Sequence, residues 1–167
     1  LCIIDQRRAH IRVLFDACMS RIEVRQGASQ GLLFPETVSF TPQEAAALPF
    51  MLDDLAAVGF DLADLGGNVW AVNGAPADLG GVSPVETLRE IIARVMETGC
   101  EVREEMTEAL ALALAGKAAI PANRTLTDDE TASLTARLFA SSSPNYTPDG
   151  KPVLCFISDE EIEKKFR

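Results

Sequence analysis

The sequence predicts a mixed α/β fold of the α+β kind, and three observations carry that prediction. Four segments open with a hydroxyl residue followed three positions later by Glu, a pairing that caps a helix start: Thr41–Glu44, Ser83–Glu86, Thr127–Glu130 and Ser158–Glu161. Between them lie short apolar runs bounded by Gly, Asn and Ser, which read as strands. The composition, 47% hydrophobic with 6% aromatic, fits a globular core built from Ala, Leu, Val and Ile.

The elements follow in order. Leu1-Cys2-Ile3-Ile4 reads as a buried strand that delivers Asp5 to the start of a helix. That helix is expected over 8–25, because Ile11, Leu14, Phe15, Cys18 and Ile22 recur at three- and four-residue steps. Gly27-Ala28-Ser29 ends it, and 31–40 reads as a strand with alternating polarity from Phe34 to Phe40. A helix over 42–58 carries Pro49 inside it, where a kink or an early break is expected, and Gly59 closes it. Strands over 60–65 and 69–74, joined by Gly66-Gly67-Asn68, form a β-hairpin. A helix over 84–98 should bury Leu88, Ile91, Ile92, Val95 and Met96. Further helices are expected over 101–119, 127–139 and 158–167, with a strand over 152–157.

A length of 167 residues suits one domain or two small subdomains. No apolar run reaches the roughly 20 residues that span a bilayer, so a membrane role is not expected. The net charge of −10 argues against a surface that binds nucleic acid throughout, leaving weak DNA contact at most. Arg7, Arg8, Arg12, Arg21 and Arg25 crowd the first helix, so any phosphate contact is expected there; a solvated basic face accounts for them equally well. Cys2, Cys18, Cys100 and Cys155 lack the close pairing of zinc sites. Cys2 and Cys155 sit in apolar runs and read as buried reduced thiols, from which a cytoplasmic location follows.

Five motifs then occur in a fixed order. They are Asp5-Gln6-Arg7-Arg8 continuing to Asp16, Gln30-Gly31-Leu32-Leu33-Phe34-Pro35, Gly66-Gly67-Asn68-Val69-Trp70-Ala71-Val72, Ala118-Ala119-Ile120-Pro121-Ala122-Asn123-Arg124, and 144–152. Together they resemble the C-terminal domain of MutL-type DNA mismatch repair proteins. The resemblance implies a dimerisation subdomain built from both chain ends, 1–40 with 100–167, and an inserted outer subdomain over 41–99. It implies self-association as a homodimer, with Leu138, Val153, Leu154 and Phe156 as interface candidates from the terminal elements. It implies contact with the replication sliding clamp through Gln30, Leu33, Phe34 and Pro35; an internal strand start explains those residues equally well. Through the full-length chain it implies other mismatch repair partners and an upstream ATPase.

In nuclease-competent members of that family the corresponding positions hold metal. The family's motif His is Arg7 here, its first Glu is Ile11 and its second is Asp16; the remaining ligand positions are Gly116, Thr147 and Asp149. Thiolate and imidazole ligands are thus replaced, and Asp5, Asp16 and Asp149 are left as oxygen ligands suited at best to magnesium or manganese. Arg7 and Arg8 would repel a dication, by about 4 kcal/mol for one contact at about 4 Å and an effective dielectric near 20. Asp5 is expected instead in an ion pair or helix cap with Arg7 or Arg8. His10, the only histidine, could serve as a general base from its place in the motif, but beside Arg12 it reads as a boundary residue. The expectation is an association module that is not an enzyme, with no metal and no cofactor. The competing reading is a metal-dependent nicking endonuclease with a reduced ligand set.

Overall fold

The computed structural model describes residues 1–25, 27–79, 82–97 and 103–166. The chain divides into two compact units, the first made of 1–16 with 119–167 and the second of 17–118. These limits differ from the 41–99 expected for an inserted segment. The reason is pairing between residues distant in sequence, described below.

In the first unit, β1 (Cys2–Ile4) pairs antiparallel with β5 (Leu154–Phe156), matching Cys2 with Phe156 and Ile4 with Leu154. The first turns of α1 (Gln6–Val24) and the whole of α5 (Asp128–Phe139) complete the unit with α6 (Asp159–Lys164). Its core is small: Ala9, Val13, Leu138 and Val153, with Ile4, Leu134 and Leu154 packed against them. Thr127 and Ser158 each form the full capping box, accepting from the backbone of Glu130 and Glu161 while those carboxylates reach back.

The strands of this unit are less buried than their apolar sequence predicts. Leu1, Ile3 and Phe156 are all exposed, as are Cys2 and Cys155, so the expectation of buried thiols is corrected. A two-stranded sheet has one face on the core and its outer edges unpaired, so half its apolar side chains meet solvent. The thiols therefore carry no argument about location.

In the second unit, β2 (Ser29–Ser39), β4 (Val69–Pro76) and β3 (Asp61–Gly66) form an antiparallel sheet in the order β2-β4-β3. Gly67 and Asn68 both take positive φ, at 61° and 65°, which is the two-residue turn that suits a twisted hairpin. Three helices pack with the sheet: α2 (Pro42–Val58), α3 (Pro84–Glu97) and α4 (Arg103–Ala118). Leu48, Leu55, Phe60, Val72, Leu88, Ile91, Ile92 and Leu110 are at most 2% exposed and form the centre of this larger core. Pairing of β2 with β4 and packing of α4 on α3 draw 29–39 and 103–118 into this unit.

Three details differ from the expected pattern. α2 runs through Pro49 as one helix, capped at Thr41 and closed by Gly59 with φ 110°. β2 does not alternate from Phe34 onward: its ladder breaks between Gly31 and Glu36, and Leu33 and Phe34 are 91% and 81% exposed. Met96 is exposed on α3, unlike its four expected companions. The expected boundaries at Thr98, Glu101 and Arg167, and Cys100, lie outside the described residues. Among the described residues no helix is long and apolar enough to cross a membrane.

Candidate functional site

The motif residues of the first unit gather at the start of α1, and their side chains are engaged with the chain itself. Asp5 is the helix cap: its Oδ1 accepts from the Arg8 amide at 3.0 Å, and its own amide donates to Val153 O at 3.0 Å. A carboxylate there also meets the positive end of the helix dipole. Arg8 Nε lies 3.4 Å from Asp5 Oδ2, and Arg8 Nη1 donates to Pro152 O at 2.8 Å. Cap and ion pair were both expected of Asp5, and both are present.

Gln6 and Arg7 face the segment after Ala118. The Gln6 amide donates to Ala122 O at 3.3 Å and Arg124 O at 2.6 Å; Arg7 Nη1 donates to Ala119 O and Ile120 O at 3.3 and 3.0 Å. Arg7 thus stitches two distant stretches by donating to the Ala119 and Ile120 carbonyls, a structural role for a position that holds a metal-binding His in the resembled motif.

One turn further, Arg12 is 8% exposed and bonded to both Asp16 and Ser142 Oγ, and its guanidinium lies 5.3 Å from the Phe15 ring centre. Asp16 Oδ2 accepts from the Ser142 amide at 2.9 Å. Sequence reading placed Asp16 as an oxygen ligand and missed Arg12 and Ser142. The i, i+4 spacing of Arg12 and Asp16 was the available signal; nothing local placed Ser142. Ile11 between them is half-buried. Of the five arginines expected to crowd a basic face, Arg7, Arg8 and Arg12 are turned onto the chain's own oxygens, and Arg25 is exposed.

Thr147 and Asp149 stand in a tight turn. Thr147 is buried, its Oγ1 accepts from the Lys151 amide at 2.9 Å and donates to Asp149 Oδ1. Lys151 Nζ lies 2.8 Å from Asp149 Oδ2. Partial burial pushes the Asp149 carboxyl up, but hydrogen bonds from Lys151 and Thr147 outweigh it and hold it below the usual range. Gly116 belongs to the second unit, half-buried on α4. Among the described residues no group of three or more His, Cys, Asp or Glu side chains is arranged to hold a metal ion.

His10, on the first half of α1, accepts at Nδ1 from the Ile120 amide at 3.1 Å. Burial first, then the charges of Arg137 and Arg124, hold its imidazole below the ordinary value near 6.5. The folded state therefore binds the proton less readily than the unfolded chain. Stability from this residue is fully present above about pH 6.5 and is lost as pH falls below it, until the folded value is passed. His10→Asn keeps an acceptor near Nδ1 but cannot titrate. We expect the wild-type urea midpoint to fall relative to this variant between about pH 7.5 and about pH 5.5. A constant difference across that window would show that His10 is not held neutral.

Similarity to known proteins extends along the whole chain. A family model described as the MutL C-terminal dimerisation domain matches residues 1–126. The chain belongs to that family. It is 52% identical over all 167 residues to the DNA mismatch repair protein MutL of Bacteroides fragilis, covering 27% of that relative. It is 49% identical over 167 residues to the protein of the same name from Parabacteroides distasonis, again 27% of its length. It is 37% identical over 166 residues to that of Porphyromonas gingivalis. The chain thus spans about a quarter of the length of the curated relatives it matches. Within this MutL family chain, the match takes in the helix that carries Asp5 to Asp16 and the segment that Gln6 and Arg7 hold.

Proposed function

We propose that this chain is the association module of a longer mismatch repair protein, joining two copies through the β1–β5 sheet of the first unit. The observation that carries this reading is exposed apolar surface on β5 and in the segment that follows it. Phe156 is 72% and Phe166 88% exposed. Beside Phe156 lies a hollow of about 430 Å³ lined by Cys155, Ile157, Ile162 and Phe166 together with the charged Glu161 and Lys165. Apolar side chains clustered this way mark an association surface, because removing them from water contributes about 25 cal/mol per Å². The family's description as a dimerisation domain supports the same reading.

The expected interface is accordingly narrowed. Leu138 and Val153 are 0% and 2% exposed, closed within the unit's own core, and offer a partner no surface. Leu154 is half-buried and Phe156 is open. Phe156→Glu is expected to weaken self-association at least about tenfold while leaving the urea midpoint nearly unchanged. Phe50→Glu, at an exposed phenylalanine of the second unit, serves as the control. Sedimentation equilibrium reads both; a Phe156→Glu chain that associates as tightly as wild type rules this surface out.

Joining two copies raises the effective concentration of whatever is tethered to each chain to about millimolar for short flexible linkers. In this proposal the tethered parts are upstream ATPase domains, and the full-length chain brings the other repair partners. The chain acts by holding copies together rather than by cutting DNA. Support comes from the motif side chains, since Asp5, Arg7, Asp16, Thr147 and Asp149 all spend their polar atoms on the chain's own groups.

The element Gln30–Pro35 is proposed to dock on the sliding clamp. Its Leu33 and Phe34 stand free of the β2–β4 ladder, where apolar side chains can enter another protein's groove. Replacing both by Ser is expected to abolish binding to immobilised purified clamp; unchanged binding would leave the element a mere bulge.

A further inference from the structure

We propose that the hollow between α5 and the start of α1 is a docking site for a short acidic peptide of a partner protein. An aliphatic or aromatic side chain of the peptide would enter the hollow, and its neighbouring carboxylate would be held by Arg137. This site is separate from the Phe156 surface and does not rest on the dimer reading.

The hollow measures about 400 Å³, room for one large side chain with backbone to spare. Its floor is aliphatic, from Ile120, Leu126 and Leu134. His10 and Ser133 stand at its walls with polar groups. Because the imidazole accepts at Nδ1 from Ile120 and is neutral, its Nε2 carries the proton and is a donor. Peptide recognition commonly combines an apolar anchor with a few such polar groups.

Charge decides the kind of peptide. Arg124 at the rim is already paired with Glu130, which also closes the α5 cap. Among the described residues no carboxylate pairs with Arg137, which is exposed on the same helix face. The positive potential it creates is felt at His10, whose proton affinity it lowers. Asp129 also lines the hollow, but it lies two turns away, about 12 Å along the helix at 1.5 Å per residue. An anion is therefore favoured at the Arg137 end only. The aliphatic floor argues against a bare phosphate, which would leave Ile120, Leu126 and Leu134 unused.

Fluorescence polarisation on the 167-residue chain tests this. The probe is a fluorescein-labelled hexapeptide of Gly and Ser carrying one leucine followed by one glutamate. Saturable binding is expected, weakened at least about tenfold when glutamine replaces the glutamate and when Arg137→Glu is made. A peptide with lysine in place of glutamate should then bind Arg137→Glu better than wild type. Ser133→Trp, which fills the hollow from an exposed position, should abolish binding. Urea midpoints check that both variants remain folded. The proposal is overturned by absence of saturable binding up to about 2 mM, by equal affinity for the glutamate and glutamine peptides, or by unimpaired binding to Ser133→Trp. It is equally overturned if a short oligonucleotide displaces the peptide at a lower concentration than unlabelled peptide does, since the site would then serve phosphate.

Discussion

Leu138→Glu unfolds the unit built from the two ends of the chain. Leu138 has no exposed surface and packs with Ala9, Val13 and Val153 in a small cluster of buried apolar residues. Losing a buried Leu costs about 2–5 kcal/mol through lost burial and the cavity left behind. A carboxylate placed there loses its hydration, and that desolvation adds several kcal/mol more. The sum approaches the whole stability of an ordinary domain. Loss of dispersed amide signals from Ala9, Val13 and Val153 in NMR spectra checks it. If Leu138→Glu stays folded and merely dissociates, Leu138 belongs to an interface after all. The contrast with Phe156→Glu is the useful part: the first should abolish structure and the second only association.

Asp16→Ala is expected to destabilise the same unit by about 3 kcal/mol. Arg12 is nearly buried, and Asp16 is the only carboxylate paired with it among the described residues. Removing one partner of a buried pair leaves a desolvated charge, an effect of about 3–5 kcal/mol. The lower end applies because the Asp16 side chain is itself 26% exposed. The Ser142 amide and hydroxyl lose an acceptor at the same time, which releases the loop after α5. Denaturant unfolding gives the magnitude. A change under about 0.5 kcal/mol, the scale of ordinary surface substitutions, would show that the cluster does not hold the unit.

What was legible in the sequence was local. Thr41, Thr127 and Ser158 cap helices at the predicted positions because capping needs only residues three apart. The Gly67-Asn68 turn was legible because few residues accept positive φ. Burial was not legible for Leu1 to Ile4 or Cys155, because whether an apolar strand is covered depends on the layers around it. The compact units differ from the expected 41–99 segment for a similar reason: β2 pairs with β4 some forty residues away. At the site, the order of motifs placed the family, and the Asp5 cap was foreseen. The Arg12–Asp16–Ser142 cluster was not, since Asp16 and Ser142 lie 126 residues apart. Arg137 was missed because a lone arginine on a helix carries no pattern until His10 and Ile120 are brought beside it.

Self-association is the central claim, and sedimentation velocity on the 167-residue chain from nanomolar to micromolar concentration tests it most directly. The expected result is a concentration-dependent shift to a species of twice 18.0 kDa. A single 18.0 kDa species at every concentration would contradict it.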